Sequence, residues 1–178
     1  MNFTAYDTNN TEEISQLFNE TFTDSEGADE GKVIGELTTE LMSTTGSDDL
    51  FIFVATDGDK LAGSIMFSRL TFETGIIAFI LSPVAVHPEF QRQGVGQKLI
   101  KFGLETLAEK GVELAFTYGD PNYYSKVGFK QLSEDVVKAP LALTYPEGWL
   151  GQSLTADALQ PISGRCCCVS ALNKAEYW

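Results

Sequence analysis

Val84-Ala85-Val86-His87-Pro88-Glu89-Phe90-Gln91-Arg92-Gln93-Gly94-Val95-Gly96-Gln97 joins an apolar run to an amphipathic one. Upstream, Ile76–Val86 is nearly continuous in apolar residues and reads as a buried strand. Ser82-Pro83 interrupts it, and a proline inside a strand implies an edge or a bulge. Downstream, Val95, Leu99, Phe102, Leu107 and Ala108 give the buried stripe of a helix from about Gly94 to Lys110. Lys110-Gly111 is a helix stop. The junction has the makings of an anion site. Gly94 and Gly96 lack a Cβ, so a ligand can approach the backbone closely. Amides from about Gln91 to Gln97 include the unsatisfied N–H groups of the helix start, where the dipole adds about half a positive charge. Arg92 and Lys98 add whole charges, and together these groups suit a pyrophosphate.

Other phosphate motifs fit less well. A dinucleotide fingerprint needs a third glycine where Leu99 stands, and the Gly-Lys-Ser/Thr of a P-loop is absent. Taken alone, Gly94-Val95-Gly96 also fits a tight turn with close packing.

Outward from the junction, the pattern is that of one mixed α/β domain spanning residues 1–178. Phe3–Tyr6 reads as a short strand. Thr8–Asn10 offers capping residues for a helix through Ile14, Leu17, Phe18 and Phe22. The acidic stretch Thr23–Gly31 reads as a connection to a second helix through Val33, Leu37, Leu41 and Met42. After a turn at Gly46–Asp49, Leu50–Ala55 and Lys60–Leu70 read as a hairpin across Thr56-Asp57-Gly58-Asp59. Val112–Tyr118 is a strand, Pro121–Val127 a short helix or turn, and Phe129–Leu132 a strand. The last third holds apolar runs broken by Pro140, Pro146, Gly148, Gly151 and Pro161, then a strand over Arg165–Leu172.

Composition narrows the function. The net charge of −13, from 25 acids against 12 bases, disfavours nucleic acid and anionic membranes as partners and favours a cationic substrate. An anionic cofactor must then be held by local contacts, since charge is screened beyond about 8 Å at physiological salt. No apolar run reaches membrane-helix length, and the polar start MNFTAYDTNNTEE lacks the pattern of a signal peptide, so a cytoplasmic location is expected. Cys166, Cys167 and Cys168 are consecutive; strand neighbours face opposite ways, which makes a poor metal or disulfide framework. No metal is expected. The run reads as partly buried small residues, with a reactive thiol as the alternative.

Leu81-Ser82-Pro83 and the segment quoted first resemble the core signature of the GNAT superfamily of N-acetyltransferases: an apolar strand ending Val-x-Pro, then Gln/Arg-x-x-Gly-x-Gly/Ala. Asp120-Pro121-Asn122-Tyr123-Tyr124-Ser125-Lys126-Val127-Gly128-Phe129 is similar to the family's Tyr-x-x-x-Gly-Phe element, in the form seen in the bacterial YhbS-like group. The resemblance is specific over about residues 50–130. It implies a mostly antiparallel mixed sheet, flanked by helices and splayed in the middle, with a cofactor-binding core over about 76–130. It further implies acetyl-CoA as co-substrate and direct attack by a primary amine of a small molecule, peptide or protein. Val84, Ala85 and Val86 would pair with the pantetheine arm, and Gln91, Arg92, Gln93, Gly94, Val95, Gly96 and Gln97 would cradle the pyrophosphate. A homodimer is an expectation by the same analogy.

Tyr124 matches the family's general acid. A phenol pKa of about 10 suits donation to a departing thiolate. Tyr123 is the neighbouring alternative, and Asn122 fits either a ligand contact or a cap. The general base is not identifiable: Glu73, Glu89, Glu113 and Asp120 are the nearby acids, each also readable as a surface charge, and His87 occupies the variable position of Val-x-Pro. Asp24, Glu26, Asp29 and Glu30 fit an acceptor-recruiting loop or a solvated one. Trp149 and Trp178 fit a pocket lining or simple packing. Without a visible base, a coenzyme-binding module without turnover is the alternative to an enzyme.

Overall fold

A computed structural model describes residues 1–6 and 10–178. In chain order it contains β1 (Asn2–Ala5), α1 (Thr11–Glu26), α2 (Ala28–Thr44), β2 (Leu50–Asp57), β3 (Lys60–Phe72), β4 (Ile77–Val86) and α3 (Val95–Glu109). There follow β5 (Leu114–Tyr118), α4 (Pro121–Tyr124), β6 (Lys130–Gln131), β7 (Trp149–Ser153) and β8 (Cys166–Cys167). The strands form an eight-stranded mixed sheet in the order β1-β2-β3-β4-β5-β7-β6, with β8 on β3. β4 and β5 pair in parallel; β1/β2, β3/β8, β5/β7 and β6/β7 pair antiparallel. Residues Met1–Phe67 with Pro83–Gly103 form one compact unit, and Ser68–Ser82 with Leu104–Trp178 form another.

In the first unit, the expected loop over Thr23–Gly31 is instead helical almost throughout. α1 runs on to Glu26, a single glycine, Gly27 at φ 104°, breaks it, and α2 starts at Ala28. Asp24 and Glu26 thus close α1, while Asp29 and Glu30 occupy the first turn of α2, where carboxylates favour the helix dipole. At Gly31 a Cβ would meet the Asn19 carbonyl oxygen at 2.6 Å and the Thr23 nitrogen at 2.8 Å, so only glycine lets the helices approach this closely. The capping reading on Thr8 and Asn9 lies outside the described residues. Asn10 holds the N-cap position, but its side chain donates to Glu13 (3.1 Å) and caps no backbone amide.

The hairpin forms as read, with Gly58 at φ 59° in its two-residue loop. On α3, Val95, Leu99 and Leu107 are buried as expected. Ile100 and Leu104 join them, whereas Phe102 and Ala108 are half-buried. Phe102 packs edge-on to Phe53 at 5.7 Å, and Gly103 leaves room for Phe67, whose ring would lie 2.8 Å from a Cβ there.

In the second unit, α3 ends in a complete Schellman motif. Gly111 (φ 83°) donates to Ala108 and Val112 to Leu107. β5 is then fully buried from Leu114 to Thr117. Its antiparallel partner β7 was not legible in the sequence, because Gly151 interrupts a five-residue run. The glycine is required there: a Cβ would lie 2.7 Å from Leu132 Cδ1 and 3.1 Å from the Phe116 ring. Trp149 is fully buried, stacks on Phe116 at 5.2 Å and donates its indole N–H to Val137 O. Trp178 donates likewise to Leu172 O and stacks on Tyr118, so both tryptophans serve packing. The expected strand Arg165–Leu172 shrinks to Cys166–Cys167, because the chain turns into a 3-10 segment at Ser170–Leu172. Cys166 is buried, and burial pushes its thiol up to about 12, which makes it an inert packing residue. No helix among the described residues is long and apolar enough to cross a membrane.

Gly31→Val forces α1 and α2 apart and should lower unfolding stability by about 2 kcal/mol, the usual cost of overpacking. Urea denaturation checks this; an unchanged midpoint would show that the helix contact is not tight.

Candidate active site

After β4 the chain makes a short 3-10 turn, Pro88–Phe90, and a further turn before α3. The turn is fixed from within. Gln91 Nε2 donates to Val86 O and Gln93 Nε2 to Glu89 O, both at 2.9 Å. Arg92 is the one non-glycine with positive φ (60°) among the described residues, and Gly94 follows at 77°. Two left-handed residues so close together turn successive amides to one side, the geometry of an anion nest. Backbone N–H groups from Arg92 to Gln97 find no acceptor among the described residues, whereas Lys98 N already bonds Gly94 O. A Cβ on Gly94 would project into open space. Arg92 and Lys98 are exposed and have no carboxylate in ion-pair reach among the described residues; Glu89 is taken by Lys60 at 3.6 Å. The segment therefore fits a pyrophosphate.

The strand before it fits an extended ligand. His87 N–H bonds Ala62 O on β3, so the Val86 carbonyl and amide point away from β3. On that side, pairing of β4 with β5 runs only from Ala78↔Leu114 to Leu81↔Thr117. Pro83, Val84, Ala85 and Val86 lie beyond it, so the missing N–H of Pro83 interrupts no bond to β5.

In the second unit, the point where that pairing stops carries a polar chain. Thr117, fully buried, donates its hydroxyl to Leu81 O at 2.9 Å and is hydrogen-bonded with Tyr124. α4 holds Tyr124 there. Asp120 caps it by accepting from Asn122 N (2.9 Å), Pro121 stands in the first turn, and Gly128 (φ 97°) ends the following 3-10 turn. The Tyr124 ring lies against Gly119, where a Cβ would come within 2.7 Å of it, and meets Phe129 edge-on. Burial is the main cause that pushes the Tyr124 hydroxyl up to about 12; the Thr117 hydrogen bond opposes it, and Tyr123 and Asp120 add smaller upward pushes. The phenol is therefore protonated throughout the neutral range.

Residues 48–131 match the model of the acetyltransferase (GNAT) domain. Over that segment the chain is similar to GNAT acetyltransferases. The chain is 36% identical over 106 residues to the uncharacterized N-acetyltransferase YjhQ of Escherichia coli, covering 56% of this chain and 59% of that protein. It is 30% identical over 103 residues to YhbS of the same organism, covering 57% and 58%. The chain thus spans under two thirds of the length of the curated relatives it matches. The GNAT fold extends further. The crystal structure of E. coli YhbS in complex with CoA superposes with a TM-score of 0.83 at 22% identity, over 98% of this chain and 92% of that one. A GNAT acetyltransferase from Brucella melitensis in complex with acetyl-CoA gives 0.73 at 23% identity, over 97% of both.

Most competing candidates in the GNAT segment have structural duties. Asp120 and Asn122 form the α4 cap, and Asn122 Nδ2 also donates to Asp120. Glu113 accepts from Ile77 N (2.9 Å), and His87 Nδ1 accepts from Glu89 N (3.3 Å). Glu73 is exposed beside Gly164. Tyr123 is half-buried and packs edge-on to Tyr124. Thr117 and Gly119 were missed from sequence. The signal was there for Thr117, a small polar residue after the apolar run Leu114–Phe116.

A tyrosine raised from 10.0 to about 12 costs the folded state nothing below pH 10. As pH rises from there toward 12, the unfolded chain sheds the proton while the folded one keeps it, so stability falls. Tyr124→Phe should flatten that alkaline loss and remove the highest-pH step from the phenolate absorbance titration. Superimposable titrations would mean Tyr124 is not held neutral by burial.

Proposed function

We propose that this chain is an acetyl-CoA-dependent N-acetyltransferase acting on a primary amine, with Val84–Gln97 holding the coenzyme and Tyr124 as general acid. The observation that carries the reading is the run of acceptor-free amides from Arg92 to Gln97, with two unpaired cations, in a chain of charge −13. The match of residues 48–131 to the GNAT domain supports it. We read residues 1–178 as one catalytic domain with its coenzyme-binding core at about 76–130, working in the bacterial cytoplasm, and as a homodimer. The acidic chain argues against nucleic acid and membrane partners.

Acetyl-CoA supplies an acyl group activated as a thioester. The amides of Arg92, Gln93, Gly94, Val95, Gly96 and Gln97, with the Arg92 charge, bind phosphate oxygens, while Gln91, whose N–H bonds Pro88 O, holds the turn. Val84, Ala85 and Val86 line the pantetheine arm, and the Val86 N–H, which faces away from β3, stabilises negative charge on the carbonyl oxygen. The neutral amine forms its bond to the carbonyl carbon as the carbon–sulfur bond breaks and its electron pair leaves on sulfur. Tyr124 gives that sulfur its proton and regains one from solvent. The extra proton of the amine passes to water, since Glu89, Glu113, Asp120 and His87 are engaged elsewhere.

Calorimetric titration with acetyl-CoA at two salt concentrations should show one salt-weakened site per chain. Gly94→Glu should abolish it, placing bulk and an anion in the nest; full affinity in a folded variant would overturn the placement. Tyr124→Phe should keep the affinity and cut turnover about a hundredfold. Binding without thiol release for any amine would leave the module reading instead.

A further inference from the structure

In the second unit the Tyr124 ring is clamped. Gly119 admits it, since a Cβ there would lie 2.7 Å from the ring, and Phe129 meets it edge-on at 5.9 Å. Its hydroxyl is held by Thr117, which is fully buried. Packing alone calls for valine at this place in β5, which has the same shape and no polar atom to bury. Thr117 has a single hydroxyl proton, and it lies on Leu81 O at 2.9 Å. A β-branched side chain is stiff at χ1, so the Thr117 oxygen stays where it is. The hydrogen, by contrast, turns freely about the C–O bond. Two acceptors compete for it, Leu81 O and the Tyr124 oxygen.

The charge of the phenol decides that competition. While Tyr124 is neutral, the proton rests on Leu81 O. A phenolate is a far better acceptor, because a hydrogen bond to an ionised group is about twice as strong as one between neutral groups. Burial, with Tyr123 and Asp120, disfavours charge on that oxygen, and Thr117 is the side chain that favours it. We propose that Thr117 is a positioning residue for the acid step: its hydroxyl orients Tyr124 and turns onto the phenolate as the proton passes to the departing sulfur. No covalent bond at Thr117 breaks. Its hydrogen bond moves from Leu81 O to Tyr124 and returns when Tyr124 regains a proton from solvent. The inference rests on Tyr124 being the general acid.

Thr117→Val removes the hydroxyl at constant shape, and Thr117→Ser keeps it without the methyl. In thiol release from acetyl-CoA with n-butylamine, Thr117→Val should lower kcat about tenfold, the size of one charge-assisted hydrogen bond, and leave the calorimetric affinity for acetyl-CoA unchanged. Thr117→Ala, which also lacks the hydroxyl, should act likewise, and Thr117→Ser should restore most of the rate. In a Tyr124→Phe background Thr117→Val should cost nothing further, because its effect passes through the phenol. A purely structural role predicts equal losses in both backgrounds. That result, or full turnover in Thr117→Val, overturns the inference. NMR of ring-labelled tyrosine reads the contact without turnover. The phenolic carbon resonance that disappears in Tyr124→Phe should shift in Thr117→Val and return in Thr117→Ser; an unmoved resonance overturns the contact. Turnover indifferent to Tyr124→Phe, or no acetyl-CoA binding at all, overturns the acid reading instead, and the resonance then decides by itself whether Thr117 holds the phenol.

Discussion

The parallel pairing of β4 with β5 ends at Leu81 and Thr117, and the rest of the site depends on that stop. Further pairing would consume the backbone of Val84, Ala85 and Val86 in the sheet and leave no edge for a ligand. Pro83, lacking an N–H, sits just past the last pair and makes continued pairing costly. At that point Thr117 turns its own hydroxyl onto the Leu81 carbonyl. That bond fixes the one polar side chain in the strand, and Tyr124 is hydrogen-bonded to it. Within the second unit, the end of the ladder is thus where the strand's backbone and side-chain polar groups meet.

An acidic chain can offer an anion site only where charge is arranged locally. Here separation is local and uses backbone. The positive-φ pair Arg92 and Gly94 aims amides that carry no net charge and cost no extra base, and the nearest acid, Glu89, is neutralised by Lys60. At the end of β5 the same excess of acid serves the fold, since Asp120 caps α4. Screening over about 8 Å lets both signs operate within one chain.

The sequence was legible where local chemistry dictates conformation. Proline and glycine punctuate β4, the nest and α4, and a glycine after Lys110 ends α3 as read. It was illegible where a long-range contact overrides the local pattern. The acidic Thr23–Gly31 looked like a loop because charge hides helicity, and only the fit of Gly31 against Asn19 and Thr23 explains why one glycine suffices to connect two helices. β7 is invisible in isolation, since Gly151 is chosen by Leu132 and Phe116 and not by strand propensity. The cysteine run pointed to a longer strand than exists, because β8 lasts only as long as Thr71 and Phe72 lie opposite it. Tyr124 was found by motif, but its protonation state was not, as that follows from burial beside Gly119, Thr117 and Phe129.

The lack of a dedicated base follows from how the fold employs its acids. Glu113 anchors the start of β4, Asp120 starts α4, Glu89 is paired, and His87 caps the turn that leads into the nest. Freeing any one of them to accept a proton would loosen an element that positions the coenzyme segment or Tyr124. Burial holds the Tyr124 phenol neutral without any such partner. The carboxylates around these elements therefore serve the fold, and the protonation of the phenol is set by its surroundings alone.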